Sequence, residues 1–404
     1  MPSARGLGLR ELLRPLTKDR FFRDHWEKRP LRLSGDARRF ESLLRLRDVD
    51  SLACFGVLSS SESDVRLAKT EGGKFASRPV RTSASGIPDP YGLYRAHHEG
   101  QTLIVNRVDA RWRPIAALCR ALEWELHHRV NANLYFTPPR AQGFAPHFDT
   151  HDVFILQLEG EKDWRFFGSV PLPLEEDNEL RGPEASAPGR ASRTLTLRPG
   201  DLLYVPRGVV HDAVSRDSSS LHLTVGVHVT RWLDLARQAL EREARADDRL
   251  REALPPGFLD PGRRPALRAR LGELLAAAAK GRAADLAVDG ISERRLQSGS
   301  PLPDGHFSAL ERATKLSDDT FVARRGAMPC AAFREGRRAG IRFPGNTVTG
   351  PEEIASALRY VAANRRFKVS DLPGPISAGS KRTLVRKLIR EGLLTFAGQS
   401  GRNS

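Results

Sequence analysis

His147-Phe148-Asp149-Thr150-His151-Asp152-Val153-Phe154-Ile155-Leu156 sets a His-x-Asp pair directly ahead of an apolar run, and the reading of this stretch decides the fold. Val153, Phe154, Ile155 and Leu156 make a short β-branched and aromatic run of strand character. At the end of a strand, residues i and i+2 point to the same side, so the His147 imidazole and the Asp149 carboxylate can converge on one point. A bare His-x-Asp is expected about 0.7 times by chance in a chain of this composition, so context must decide. Two other pairs compete. His25-Trp26-Glu27 sits in a helical segment where i and i+2 diverge, and His97-His98-Glu99 follows a helix-like stretch without a strand after it.

A third ligand should come from a late strand of the same barrel. Arg198-Pro199-Gly200-Asp201 is a turn, Leu202 to Val205 a strand, and Pro206-Arg207-Gly208-Val209-Val210-His211 brings the chain back to the mouth. His211 is therefore chosen, although alone it reads as an ordinary hydrogen-bonded barrel histidine. His147, Asp149 and His211 would hold a metal from one face and leave the other open, the facial triad of non-haem Fe(II) oxygenases.

Outward from this centre the texture is of short strands: Asp64 to Lys69, Thr102 to Val108, Asn131 to Thr137, Asp152 to Leu158, Asp163 to Phe167, Leu195 to Leu197, Asp201 to Val205 and Leu221 to Val229. Strands this short and this closely spaced suggest a double-sheet jelly roll. Trp112 to His128 reads as an amphipathic helix within the block, and Glu175 to Ser192 as a polar surface loop. Residues 1–50 are helical, with Leu12, Leu13, Leu16, Phe21, Phe22 and Trp26 at near-helical spacing, ended by Pro30. From Arg231 to Leu316 the pattern is helical again, which suits a dimer interface. After it come a short strand (Ala339 to Phe343), helices Pro351 to Ala363 and Ser380 to Glu391, and a strand at Leu393 to Phe396, the outline of a winged helix. The expected fold is thus α+β in three parts: residues 1–230 a jelly-roll core with a helical entry, 231–316 a helical dimerisation region and 317–404 a winged helix.

No run approaches the length of a membrane span, and Met1 to Arg5 lack the apolar stretch of a signal peptide, so a soluble, cytoplasmic protein without membrane contact is expected. Cys54, Cys119 and Cys330 are too few and too scattered for a thiolate site, leaving any metal to His and carboxylate. The formal charge is +16, and Ser317 to Ser404 hold 16 Lys and Arg against 7 Asp and Glu. That excess suits contact with nucleic acid such as ribosomal RNA, and equally suits a solvated Arg-rich surface.

Asn133-Leu134-Tyr135-Phe136-Thr137, Gly143-Phe144-Ala145-Pro146-His147-Phe148-Asp149, Gln157-Leu158-Glu159-Gly160-Glu161-Lys162-Asp163-Trp164-Arg165 and Leu197 through Pro199-Gly200-Asp201 to His211 together resemble the JmjC-type cupin ribosomal oxygenases. Phe21-Phe22-Arg23-Asp24-His25-Trp26 and Pro30-Leu31 resemble the same family's entry segment. The resemblance implies Fe(II), 2-oxoglutarate as cosubstrate and hydroxylation of an arginine or histidine in a ribosomal protein. It places Lys162 as the cation for the cosubstrate's distal carboxylate, which would be costly to bury unpaired. His222 and, by period two, Thr224 fall where relatives approach the cosubstrate's metal-binding end. Tyr135 and Asn133 fall where relatives line the cavity and touch the target. Each of these four also has an ordinary structural reading as a satisfied core residue.

The pattern departs at Phe148, where nucleolar relatives carry Tyr, at Thr150-His151, where several carry acidic residues, and at Gly226, where histidine-hydroxylating members place a serine. The last difference leans toward a non-histidine target. Two rivals stand beside this reading. One is a metal-binding cupin and winged-helix regulator contacting DNA through Lys381, Arg382, Arg386, Lys387 and Arg390. The other is a demethylase or other oxygenase with the same triad and a different cavity.

Overall fold

The computed structural model describes residues 7–54, 65–82, 88–174, 189–280, 282–299, 301–302 and 304–397. Most of the expected Glu175 to Ser192 loop lies outside the described residues. The chain divides into two compact units, residues 1–229 and 230–404.

In the first unit eleven strands are described: β1 Leu31–Leu33, β2 Val65–Glu71, β3 Lys74–Pro79, β4 Thr102–Val105, β5 Arg129–Thr137, β6 Asp152–Glu159, β7 Lys162–Ser169, β8 Arg193–Leu197, β9 Leu202–Val205, β10 Val209–Ser215 and β11 Ser220–His228. Eight form an antiparallel sheet in the order β1-β9-β6-β11-β5-β4-β2-β3, and β10-β7-β8 form a second. The run that opened the sequence reading is β6, and its continuous apolarity has a simple cause. Phe154, Leu156 and Leu158 face one core shared with the helices, while Val153 and Ile155 face another against Trp164, Phe166 and Leu197 of the small sheet. A strand buried on both faces has no polar side to alternate with. β9 does the same with Leu202 and Tyr204 on one side and Leu203 and Val205 on the other.

Helices Leu9–Leu13, Lys18–Asp24 and Arg113–Leu126 cover the helix side of the large sheet. Phe21 is fully buried there, edge-on to Tyr204 with ring centroids 4.9 Å apart. The Arg198 to Asp201 turn is held by Asp201, which accepts from the Arg198 backbone N–H at 3.1 Å and pairs with Arg32 at 2.8 Å. Gly200 is required in it: its φ is +88°, and a Cβ would lie 1.9 Å from the Asp36 carbonyl oxygen.

Some elements escaped the sequence. β3 is polar and exposed and shows no strand pattern. β10 carries His211-Asp212 in its middle, which interrupts its apolar periodicity. β4 starts at Thr102, just after Glu99, so the ground on which His97-His98-Glu99 was set aside does not hold. His97 is excluded instead by its place on helix Pro90–His98, where its ring stacks on Phe136 at 4.2 Å.

In the second unit, helices Trp232–Ala246, Arg264–Lys280 and Ala283–Ser298 precede two three-stranded sheets. One joins Arg366–Lys368, Phe321–Arg324 and Leu394–Phe396, and the other Ala331–Glu335, Arg338–Phe343 and Asn346–Pro351. Helices Ala355–Ala363 and Ala378–Arg390 pack with them around Val322, Ile341, Leu358, Val385 and Leu388. The last helix is capped by Ser377, which accepts from the Ser380 N–H at 3.1 Å, and is followed by Gly392 at φ +93°.

Replacing Phe21 by Ala removes the ring at the junction of the entry helices and β9. A loss of about 3–5 kcal/mol is expected in urea unfolding. A loss below about 1 kcal/mol would show that the entry helices contribute little to this core.

Candidate metal centre

His147 and His211 face each other across an isolated antiparallel bridge. The His147 N–H donates to the His211 carbonyl at 3.0 Å, and the His211 N–H returns to the His147 carbonyl at 2.8 Å. Asp149 lies two residues on, its carbonyl accepting from the Gly208 N–H at 2.9 Å. Gly208 has φ +83°, and a Cβ on it would meet the Val170 carbonyl oxygen at 1.9 Å. The two segments are therefore fixed to each other through main chain on both sides of the three side chains. One ligand atom from each of His147, Asp149 and His211 falls within 4.8 Å of the others.

Both imidazoles are oriented by a main-chain carbonyl. His147 Nδ1 lies 2.8 Å from the Ala145 carbonyl and His211 Nδ1 2.9 Å from that of Val209. A carbonyl only accepts, so Nδ1 is the donor in both rings and Nε2 is the atom left for a metal. The His211 Nε2 sits 3.8 Å from an Asp149 carboxylate oxygen. Two imidazole nitrogens and one carboxylate form a donor set for a divalent first-row metal.

The triad opens into a cavity of about 250 Å³. Lys162, the first residue of β7, also lines it; it is 4% exposed, and Nζ donates to Thr137 Oγ1 at 2.9 Å. No carboxylate pairs with it among the described residues, and burial pulls the amine from 10.5 down to about 7. A buried amine with only a hydroxyl for company fits an anionic ligand. Thr137 was not foreseen, although period two along β5 puts it on the face of Asn133 and Tyr135.

His222 is also buried, stacked flat on Tyr135 at 5.0 Å and met edge-on by Trp164 at 5.7 Å. Burial and the nearby Lys162 charge hold it neutral. His222 Nδ1 and Trp164 Nε1 are buried cavity-wall atoms with no hydrogen-bond partner among the described residues, as expected of a site shaped for a polar ligand. The register across β5 and β11 pairs Tyr135 with His222, Asn133 with Thr224 and Asn131 with Gly226, so the cavity wall is ordered in rows. Asn133 and Thr224 both line the cavity, and Asn133 Oδ1 accepts from the Arg107 backbone N–H at 2.9 Å. His151 lies over Gly226, with its Cδ2 2.8 Å from where a Cβ would stand. A serine there would require this ring to move.

Gln157 and Arg165, to which the sequence assigned nothing, have structural tasks. Gln157 ties β6 to Ser220 at 2.8 Å, and Arg165 pairs with buried Asp212 at 2.7 Å, beside His211.

The JmjC domain family matches residues 106–235, which contain all three triad residues. The chain is 33% identical over 260 residues to ribosomal oxygenase 2 of Bos taurus, covering 61% of this chain and 54% of that protein. It is 32% identical over 223 residues to the bifunctional lysine-specific demethylase and histidyl-hydroxylase NO66 of Drosophila persimilis, covering 54% of this chain and 31% of that protein. The chain thus spans about half or less of these relatives' length. The crystal structure of Escherichia coli ribosomal oxygenase YcfD aligns over 95% of this chain and 98% of its own, with a TM-score of 0.55 and 21% identity. At that identity the likeness concerns fold, and it extends beyond the JmjC domain through both units.

The buried amine has a measurable cost. Because Lys162 titrates near 7 in the fold and near 10.5 when unfolded, its penalty is complete below about pH 7 and fades as pH rises toward 10.5. Lys162→Met should therefore stabilise the unliganded protein by about 1–4 kcal/mol at pH 6.5. The gain should shrink by pH 9.5 in urea melts. A destabilised variant at both pH values would show that the amine is not an unpaired buried charge.

Proposed function

We propose that this protein is an Fe(II)- and 2-oxoglutarate-dependent hydroxylase of a ribosomal protein side chain, arginine or histidine. The observation that carries the reading is the pairing of a facial His147, Asp149 and His211 set with an unpaired buried lysine in one cavity. A YcfD structure is described as a complex with cobalt and 2-oxoglutarate, which supports the same ligands here.

When bound, the metal would activate O2 at the expense of the keto acid, which loses CO2 and takes one oxygen atom to become succinate while the other oxygen atom enters the target C–H bond. The chain's residues do the rest. His147, Asp149 and His211 would hold the metal. Lys162, protonated, would anchor the distal carboxylate with Thr137 beside it, while His222 and Thr224 lie along the cosubstrate's path. Tyr135 and Asn133 would bound the target side chain, and the Trp164, Ile155 and Val153 wall excludes water. Residues 231–316 would serve a homodimer, supported by exposed Trp232, Leu271 and Val288 on their helices. Residues 317–404 would form a winged helix whose basic face suits ribosomal RNA, in a cytoplasmic enzyme. No helix among the described residues is long and apolar enough to cross a membrane.

The DNA-regulator reading is disfavoured by the last helix itself. Arg386 donates to the Ala313 carbonyl, Lys387 to Thr349, Lys381 to Ser370, and Arg382 and Arg390 pair with Asp318 and Glu391. All five proposed DNA contacts are thus engaged within the unit.

Purified protein with Fe(II) should convert 2-oxoglutarate to succinate in the presence of ribosomal proteins, and mass spectrometry should find one added oxygen on a target. His211→Ala should abolish turnover, and Lys162→Met should weaken 2-oxoglutarate binding at least about tenfold. Operator-specific DNA binding without succinate formation would contradict the reading. Because the anchoring form of Lys162 is protonated, calorimetric affinity for 2-oxoglutarate should fall as pH rises above about 7. An affinity independent of pH from 6.5 to 8.5 would argue against that anchor.

A further inference from the structure

β3 ends the large sheet, and no strand pairs with its outer edge among the described residues. Five of its six residues, Lys74, Phe75, Ala76, Arg78 and Pro79, are exposed. The Gly72-Gly73 connection, with φ of 56° and 77°, sets Glu71 opposite Lys74. In an antiparallel pair hydrogen-bonded positions alternate, so Lys74, Ala76 and Arg78 face β2 through their main chain. The bond from Val80 N to the Val65 carbonyl, at 3.2 Å, continues that phase. By the same alternation the N–H and C=O groups of Phe75 and Ser77 point outward along the open edge.

This edge is linked to the cavity wall through one aromatic contact. Phe75 stands opposite Thr70, whose N–H donates to the Gln142 carbonyl at 2.8 Å and whose hydroxyl donates to the Gly143 carbonyl at 3.2 Å. The Phe75 ring, on a residue 42% exposed, stacks on Phe144 at 5.1 Å. Phe144 lines the cavity, 5.4 Å from the His147 ring. An edge that only resists aggregation carries charge or proline along it. Lys74, Arg78 and Pro79 give the edge that protection, which leaves unexplained an exposed aromatic, Phe75, stacked on a residue of the cavity wall.

We propose that β3 is the docking edge for the protein target. An extended segment of the target adds as a further strand, bonding its main chain to Phe75 and Ser77 while one side chain crosses the Phe75 and Phe144 rings into the cavity. Main-chain bonds hold any extended sequence, and the cavity then selects the side chain. This inference rests on the protein-hydroxylase reading, and the partner it fits is an extended polypeptide rather than a free amino acid.

The test compares Ser77→Pro with Ser77→Ala, which differ at the outward backbone nitrogen and leave the β2 ladder alone. Ribosomal proteins stripped from ribosomes are the probe, with oxygen incorporation followed by mass spectrometry. Ser77→Pro should raise the KM for the target about tenfold over Ser77→Ala, and more than it alters the KM for 2-oxoglutarate. Phe75→Ala, which keeps the edge main chain, should also raise the target KM and serves if the proline variant does not fold. Equal target KM values for both serine variants, or for Phe75→Ala and the unaltered protein, would overturn the docking edge alone. If the unaltered protein hydroxylates no ribosomal protein, the function reading fails and takes the docking edge with it.

Discussion

The reciprocal main-chain bonds between His147 and His211 are the constraint on which the site depends. Side chains that grasp one ion from two distant segments need their backbones fixed relative to each other, because a misplacement of an ångström loosens every bond to the metal. Here the bridge fixes the two histidines, and the bond from Gly208 to the Asp149 carbonyl fixes Asp149 in the same frame. The Nδ1 contacts to Ala145 and Val209 then set both tautomers from main chain alone. The metal-binding geometry is thus a property of the backbone, present before a ligand arrives.

The double-sided burial of β6 and β9 explains why such a frame is rigid. One face of the large sheet is packed by helices and the other by the small sheet, so β6 and β9, which adjoin the triad segments in sequence, cannot shift without disturbing two cores. Within that shell the fold tolerates what it ordinarily excludes: an amine at Lys162 with no counter-charge among the described residues, and unpartnered nitrogens on His222 and Trp164. Local stability is given up where a dicarboxylate would restore it, a pattern expected of binding sites.

Much of this was legible in the residues. The apolar run after Asp149 marked a strand because it is short, β-branched and bounded by turn residues, and the Arg198 to Asp201 turn marked the re-entry that carries His211. The triad followed from that placement. β3 was not legible, since an exposed edge strand needs no apolar face, and neither was β10, whose centre is occupied by His211 and Asp212. Thr137 could have been found by period two from Tyr135, whereas the stack of His222 on Tyr135 depends on a register between strands that local sequence does not encode. The rival pair at His97 was set aside correctly for a reason that does not hold, because adjacency to a strand matters less than which element carries the side chain.

The account stands or falls on one ion and one carboxylate sharing the cavity. Crystals soaked with Co(II) and 2-oxoglutarate, with anomalous diffraction at the cobalt edge, test this most directly. The predicted result is a single cobalt peak bonded to His147 Nε2, Asp149 and His211 Nε2, with the distal carboxylate of the keto acid against Lys162 Nζ. Cobalt bound elsewhere, or a keto acid whose distal carboxylate turns away from Lys162, would contradict it.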